Sequence, residues 1–209
     1  MRPQEIEDRS FQIIDEEVGE HPFTEEQYVV AKRVIHASAD FEFRDTLRFH
    51  PGAIAAGLEA LRAGRDIVVD VHMQRAGVSA SLLQELGCAL LCHIDDPEVA
   101  AAAKAEGTTR SATAMRKALR EAPGAVVSVG NAPTALLEAL RMVEAGEARP
   151  SLIVGVPVGF VSAADAKERL IGQQTVPYIG NVGRKGGTPI AVAVLNALLR
   201  LASGKHRIY

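Results

Sequence analysis

The 209-residue chain is short of several things, and each shortage removes a class of protein. No apolar run approaches the roughly 20 residues that a bilayer-spanning helix needs, and the charged start Met1-Arg2-Pro3-Gln4-Glu5 lacks the apolar core of a signal peptide, so the expectation is a cytoplasmic protein without a membrane span. Charge of one sign is not in excess: 23 basic against 26 acidic residues leave a formal net charge of -3, which gives no reason to expect nucleic acid as a partner. Cysteine is confined to Cys88 and Cys92. Four residues apart on a strand, their Cα atoms would stand about 13 Å from each other, too far for a disulfide, and buried thiols in a reducing compartment are expected. There is no Cys-x-x-Cys pair and no His/Cys grouping at zinc spacing, hence no metal site to propose. Internal repeats and low-complexity tracts are also absent.

What is present is the composition of a globular domain, 47% apolar and 23% charged, at a length that fits one well-buried domain spanning 1–209. Helical periodicity runs from Ile6 to Val18, with Phe11, Ile14 and Val18 on one track and Ile6, Ser10, Ile13 and Ile14 on a second. Ser10 is thus a hydroxyl at an apolar position, open to two readings: a bond back to the Ile6 carbonyl, or a ligand contact. Thr24 with Gln27 forms a capping box for a helix ending near Ala37 or Ser38. After Phe49-His50-Pro51-Gly52, an Ala-rich helix covers Ala53 to Ala63.

From there the rhythm changes. Strands are expected at Asp66–Val71, Cys88–Ile94, Ala125–Val129 and Ser151–Val156, with a short fifth at Pro177–Ile179. Helices are expected at Ser79–Leu86, after Pro97, from near Ser111, and at Thr134–Ala145, Ser162–Ile171 and Thr188–Ala202. Near-continuously apolar strands separated by helices imply an α/β fold: a single domain with a mainly parallel sheet, helices on both faces and additional N-terminal helices.

In such a sheet, ligands gather beyond the carboxyl ends of the strands. The loops there are His72 to Gly77, Gly130 to Thr134, Pro157 to Phe160 and Gly180 to Thr188. The last is not a Walker loop, because Lys185 precedes Gly186 instead of following the final glycine. No Gly-x-Gly-x-x-Gly follows the first strand, and no Gly-x-Ser-x-Gly occurs, so nucleotide and serine-hydrolase readings fall. Arg184 and Lys185 are either a solvated pair or cations for a carboxylate-rich ligand. Arg110 and Arg116 invite the same two readings.

Among the histidines, His206 belongs to the tail, His21 and His50 precede prolines in loops, and His72 and His93 end strands. His36 differs from all of them. It follows Arg33 by one helical turn and shares its face, inside the stretch Arg33-Val34-Ile35-His36-Ala37-Ser38-Ala39-Asp40-Phe41. A helix C-terminus attracts positive charge, which suits a proton donor, while Arg33 opposes it; capping of the last carbonyls is the structural alternative. Asp40 lies too near the helix end to be placed.

These motifs together resemble the precorrin-8X methylmutase family along nearly the whole chain. The resemblance rests on Ser10-Phe11 with Ile13-Ile14, the Arg33 to Phe41 stretch, Gly130-Asn131-Ala132-Pro133-Thr134-Ala135-Leu136, Gly155-Val156-Pro157-Val158-Gly159-Phe160-Val161 and Gly183-Arg184-Lys185-Gly186-Gly187, in that order. It implies an isomerase of corrin-ring biosynthesis that moves a methyl group from C-11 to C-12 of precorrin-8X or cobalt-precorrin-8, giving hydrogenobyrinate or cobyrinate. It also implies an α/β homodimer without an organic cofactor. Carried over by position, the histidine acid/base falls on His36 and the substrate-contacting serine and arginine on Ser10 and Arg33; a tetrapyrrole fringed with acetate and propionate would explain Asn131, Arg184 and Lys185. The chain departs from the threonine-rich form of the motif, with Ala37-Ser38 after the histidine. A non-catalytic tetrapyrrole carrier and a phosphate-binding enzyme built on the Gly183 to Thr188 loop are the rival readings.

Overall fold

A computed structural model describes residues 2–205; His206 lies outside them. In chain order the elements are α1 (Pro3–Val18), α2 (Glu25–Ser38), α3 (Phe43–Thr46), β1 (Leu47–Phe49), α4 (Ala53–Arg62), β2 (Ile67–Val69), α5 (His72–Gly77), α6 (Ala80–Leu86) and β3 (Leu90–Leu91). Then follow α7 (Pro97–Glu106), α8 (Arg110–Glu121), β4 (Val126–Val129), α9 (Pro133–Glu144), β5 (Leu152–Gly155), α10 (Ala163–Gly172), β6 (Tyr178–Asn181) and α11 (Thr188–Ala202). The strands form one sheet in the order β1-β6-β5-β4-β2-β3. All neighbours are parallel except β1, which pairs antiparallel with β6 through Leu47 opposite Asn181 and Phe49 opposite Ile179. This is the mainly parallel α/β sheet that the apolar strands predicted, and β4, β5 and β6 are buried at every position.

Each face of the sheet has its own core. On one, α11 packs against α2, α4, α5 and α6 and joins Phe11, Val34, Ile35, Leu58, Val126 and Val154 in one apolar cluster. On the other, α8, α9 and α10 cover Val68, Val127, Val129 and Ile153. Alternate strand residues point to opposite faces, so Val126 and Val127 serve different cores. Among the described residues, no helix is long and apolar enough to cross a membrane.

Four local expectations are corrected. The segment around Phe49 is not mere punctuation but the edge strand β1, too short and too mixed in burial to show a period. His72 to Gly77 is a helical turn, α5, not a loop. The strand expected over Cys88–Ile94 is reduced to Leu90–Leu91 at the sheet edge; Cys88 is buried, Cys92 half-buried and both thiols are free. The second apolar track of α1 enters the core only through Ile14, which it shares with the first; Ile6 and Ile13 are exposed while Phe11, Ile14 and Val18 are buried.

Gly130 follows β4 where α11 begins, and a Cβ there would lie 2.9 Å from both the Thr188 Cα and the Ala191 Cβ. Because backbone must give way, Gly130→Ala is expected to cost about 1–3 kcal/mol, read from urea unfolding of the variant against wild type.

Candidate functional site

Helix α2 carries the residues on which the site is built. Its start is fixed by the capping box, with Thr24 Oγ1 accepting from Gln27 N and Gln27 Oε1 accepting from Thr24 N. Val30, Ala31, Val34 and Ile35 are buried in the α11-side core, which leaves His36 and Ala37 exposed along the seam. The helix ends at Ala39 in a left-handed conformation (φ 52°, ψ 30°), its N–H bonded to the Ile35 carbonyl at 2.8 Å. Ser38 Oγ donates to Val34 O and accepts from Asp40 N, so the turn is secured by its own side chain. Asp40, unplaced by sequence, pairs with Lys185 at 2.6 Å, and Glu42 meets the same ammonium at 2.8 Å. The Lys185 hydrogen bond holds the Asp40 carboxyl below its usual range. The end of α2 is thereby tied to the loop before α11.

His36 stacks on Phe11 of α1, ring centroids 4.6 Å apart. The Arg33 guanidinium lies 5.1 Å from the same ring and contacts Glu7 of α1 at 3.1 Å. Burial pulls the Arg33 proton affinity below its ordinary value, the charge of Arg200 adds to this, and Glu7 opposes it. Clefts open on both sides of the imidazole. One, of about 360 Å³, is lined by Arg33, His36, Ala37, Ser79, Pro189, Val192, Ala193, Asn196 and Arg200. The other, about 290 Å³, is lined by Ser10, Ile13, Ile14, Ile35, His36, Ala39 and Phe41. Both sit near the lower end of the roughly 300–1,000 Å³ typical of ligand pockets.

The structure therefore brings Ser10, Arg33 and His36 together. Ser10 takes the local reading in its hydrogen bond, Oγ donating to Ile6 O at 2.8 Å, yet the same hydroxyl lines the smaller cleft and keeps acceptor capacity. Asn131, Arg184 and Lys185 are exposed and line neither cleft. Arg184 stands 5.7 Å from the Phe160 ring, and Lys185 is engaged by its two carboxylates. His72 pairs with Asp95, and His93 lies between Asp96 and Glu121. His50 Nδ1 accepts from Gly52 N, and Arg116 is held by Glu106 and Glu138, which leaves these groups to structural work.

Two buried polar groups that sequence reasoning did not single out shape the loops. Asp70, 2% exposed, accepts from the amides of Gly130, Asn131 and Ala132 at 3.1, 2.9 and 2.6 Å and from Gln74 Nε2 at 2.5 Å. A carboxylate ending a buried strand was the available signal, since such a group needs a full set of donors. Lys167 of α10 is completely buried, donating to Lys185 O at 2.6 Å and Asn181 Oδ1 at 3.3 Å, and no carboxylate among the described residues pairs with it. Asn181 Nδ2 also donates to Lys185 O, while Gly187 N donates to Val156 O and Gly159 N to Arg184 O. The loop after β6 is thus laced to the loop after β5. Gly186 (φ 150°) is required there, because a Cβ would collide with the Val156 carbonyl oxygen.

With this geometry in view, comparison with known proteins is specific. The family model described as precorrin-8X methylmutase matches residues 5–201. A cobalt-precorrin-8 methylmutase of Priestia megaterium is 50% identical over 202 residues, covering 97% of this chain and 89% of that protein. A precorrin-8X methylmutase of Pseudomonas aeruginosa is 45% identical over 170 residues, 81% of each chain. A crystal structure of precorrin-8X methylmutase from Thermus thermophilus superposes with a TM-score of 0.85 at 44% identity, covering 95% of this chain and 98% of that one. The chain is an α/β enzyme of the isomerase class, one that shifts a methyl group within its substrate, and not a passive carrier. It belongs to the precorrin-8X methylmutase family, whose place is in cobalamin biosynthesis.

Burial lowers the Lys167 amine from the ordinary 10.5 to about 8. Between those values the unfolded chain holds a proton that the native state has released, so native stability rises with pH across that window and the advantage is lost as pH falls through 8. Wild type is expected to gain up to roughly 3 kcal/mol relative to Lys167→Met between pH 7.5 and 10.5, measured by urea unfolding of both proteins at each pH.

Proposed function

We propose that this protein moves a methyl group from C-11 to C-12 of precorrin-8X or its cobalt counterpart, giving hydrogenobyrinate or cobyrinate, with His36 as general acid and base. The observation that carries the reading is His36 itself, exposed between two clefts, backed by the Phe11 ring and one helical turn from Arg33. The reaction is an isomerisation: the bond from methyl to C-11 breaks, the bond to C-12 forms, and nothing is gained or lost. It calls for neither an external redox agent nor an organic cofactor. A proton lent by the imidazole to the conjugated ring at the migrating edge, and taken back afterwards, lowers the barrier by an amount worth on the order of 10²–10⁴-fold. Holding the macrocycle in one orientation contributes the freedom already lost on binding.

Ser10 and Arg33 are assigned to orientation of the ring, from their places on either side of His36. Asn131, Arg184 and Lys185 are assigned to acetate and propionate groups that reach beyond the clefts. We also propose that residues 1–209 act as one unit, as a homodimer in the cytoplasm. Support for the dimer is the family resemblance together with the exposed apolar side chains Phe160 and Val161 beside the laced loops and Ile6 and Ile13 on α1.

The test uses absorbance spectra of precorrin-8X mixed with enzyme. Wild type should convert the pigment, and His36→Ala should lower kcat by on the order of 10²–10⁴-fold while binding product within a few-fold of wild type. Undiminished turnover by the variant would remove the acid role, and an unchanged spectrum with wild type would remove the activity.

A further inference from the structure

The larger cleft contains a charge imbalance that the fold leaves unresolved. One nitrogen of Arg33 reaches Glu7, but its Nη2 is buried and has no hydrogen-bond partner among the described residues. Arg200, the only charged residue of α11, lines the same cleft, and its guanidinium makes no hydrogen bond or ion pair among the described residues. Apart from His36, the other polar groups of the cleft are already committed. Asn196 accepts from Ser79 N at 2.9 Å and donates to Gly77 O at 3.0 Å, and Ser79 Oγ caps α6 through Leu82 N. Two guanidiniums thus face one space with a single carboxylate, Glu7, in contact. Like charges held together at a half-buried position oppose folding unless something completes them.

We infer that Arg33 and Arg200 form a subsite for one carboxylate of the substrate, an acetate or propionate arm of the tetrapyrrole rim entering the cleft beside His36. The inference rests on the methylmutase reading and adds to it a residue and a ligand group. Guanidinium forks match a carboxylate in two directions, and the free Arg33 Nη2 supplies a donor with no competing acceptor. Pro189, Val192 and Ala193 give the cleft an apolar wall that suits the methylene stem of such an arm. Anchoring one arm next to His36 fixes the rotation of a pseudo-symmetric ring, so that the correct edge meets the imidazole. Arg200 is a specificity-determining residue on this account.

The experiment compares wild type with Arg200→Gln and Arg200→Met, which keep the unbranched start of the side chain and remove its charge. Each is titrated with cobyrinic acid and with a corrinoid whose acetate and propionate arms are all carboxamides, at low and at high salt, and its thermal midpoint is recorded. Wild type should prefer the acid. Both variants should bind it roughly 10–100-fold more weakly, as expected for loss of charge-assisted hydrogen bonds, bind the amide unchanged and lose part of the salt dependence. Their thermal midpoints should equal or exceed that of wild type, because a repulsion has been removed. Equal binding of the acid by wild type and variants overturns the subsite, and so does a parallel loss of both ligands with a lowered midpoint, which marks a structural role. If wild type converts precorrin-8X and the variants bind normally, only the subsite fails; if wild type neither binds nor converts a corrinoid, the functional reading fails and the subsite with it.

Discussion

Helix α11 has one charged residue in fifteen, and most of its other side chains are inside the molecule, against the sheet on one side and against α2, α4, α5 and α6 around the rest. Each fully buried Leu, Val or Ile there is worth about 1.5–3 kcal/mol over exposure, so the helix cannot be turned to place Arg200 elsewhere without losing several such contributions. The C-terminal end of α11 is fixed as well, since Arg62 of α4 donates to the carbonyls of Leu201 and Ala202. Because α2 buries Val30, Ala31, Val34 and Ile35 in the same core, its own polar positions must emerge along the edge of the contact. Arg33 and His36 stand where they do because the apolar faces on either side of them are already committed. The functional seam is what remains after two helices have satisfied their burial.

The loops at the carboxyl ends of the strands are held by a second device, with opposite charges at its two ends. Asp70 gathers three consecutive amides of the Gly130 to Ala132 turn, in the way a nest of backbone N–H groups holds an anion, except that the anion is part of the protein. Lys167 does the converse for the Lys185 turn by donating to its carbonyl. The two are not equivalent energetically. Asp70 receives four donors and is fully satisfied, whereas Lys167 finds two neutral acceptors and releases its proton more readily. Both act on backbone, which fixes the course of a loop while leaving side chains such as Asn131 and Arg184 free at the surface.

Much of this was legible in the sequence wherever periodicity or capping chemistry was local. Both limits of α11 and the capping box at Thr24 follow from residues a few positions apart. Short elements were not legible: β1 alternates buried Leu47 with exposed Arg48 over only three residues, and α5 follows Val71, which offers no side-chain cap. At the site, spacing alone put Arg33 and His36 on one face, and the family resemblance gave them roles. Asp40 could not be placed because the left-handed turn at Ala39 redirects the chain, and its partner Lys185 is 145 residues away. Lys167 stands among Asp165, Glu168 and Arg169, a run that reads as a solvated face, and Arg200 is the one charge near the end of an apolar helix, where a cation is expected to reach solvent. Only packing reveals that one is sealed inside and the other looks across a cleft at a second arginine.

The charge of that cleft runs against the charge of the whole chain. The formal net charge is -3, and a tetrapyrrole carrying several carboxylates would be repelled by the average field of such a protein. At physiological ionic strength the screening length is about 8 Å, so remote acidic residues contribute little at the seam, while guanidiniums in contact act almost unscreened. Binding must then be decided by the groups that touch the ligand. Of the groups lining the larger cleft, Arg33 and Arg200 carry full charges of the right sign, and Glu7 neutralises only one of them. A second internal carboxylate would have made the free protein more stable and left no donor for the substrate. On the proposed reading, the unpaired guanidinium of Arg200 is the condition under which a burial-driven fold, acidic on average, holds a polyanion with one chosen edge against His36.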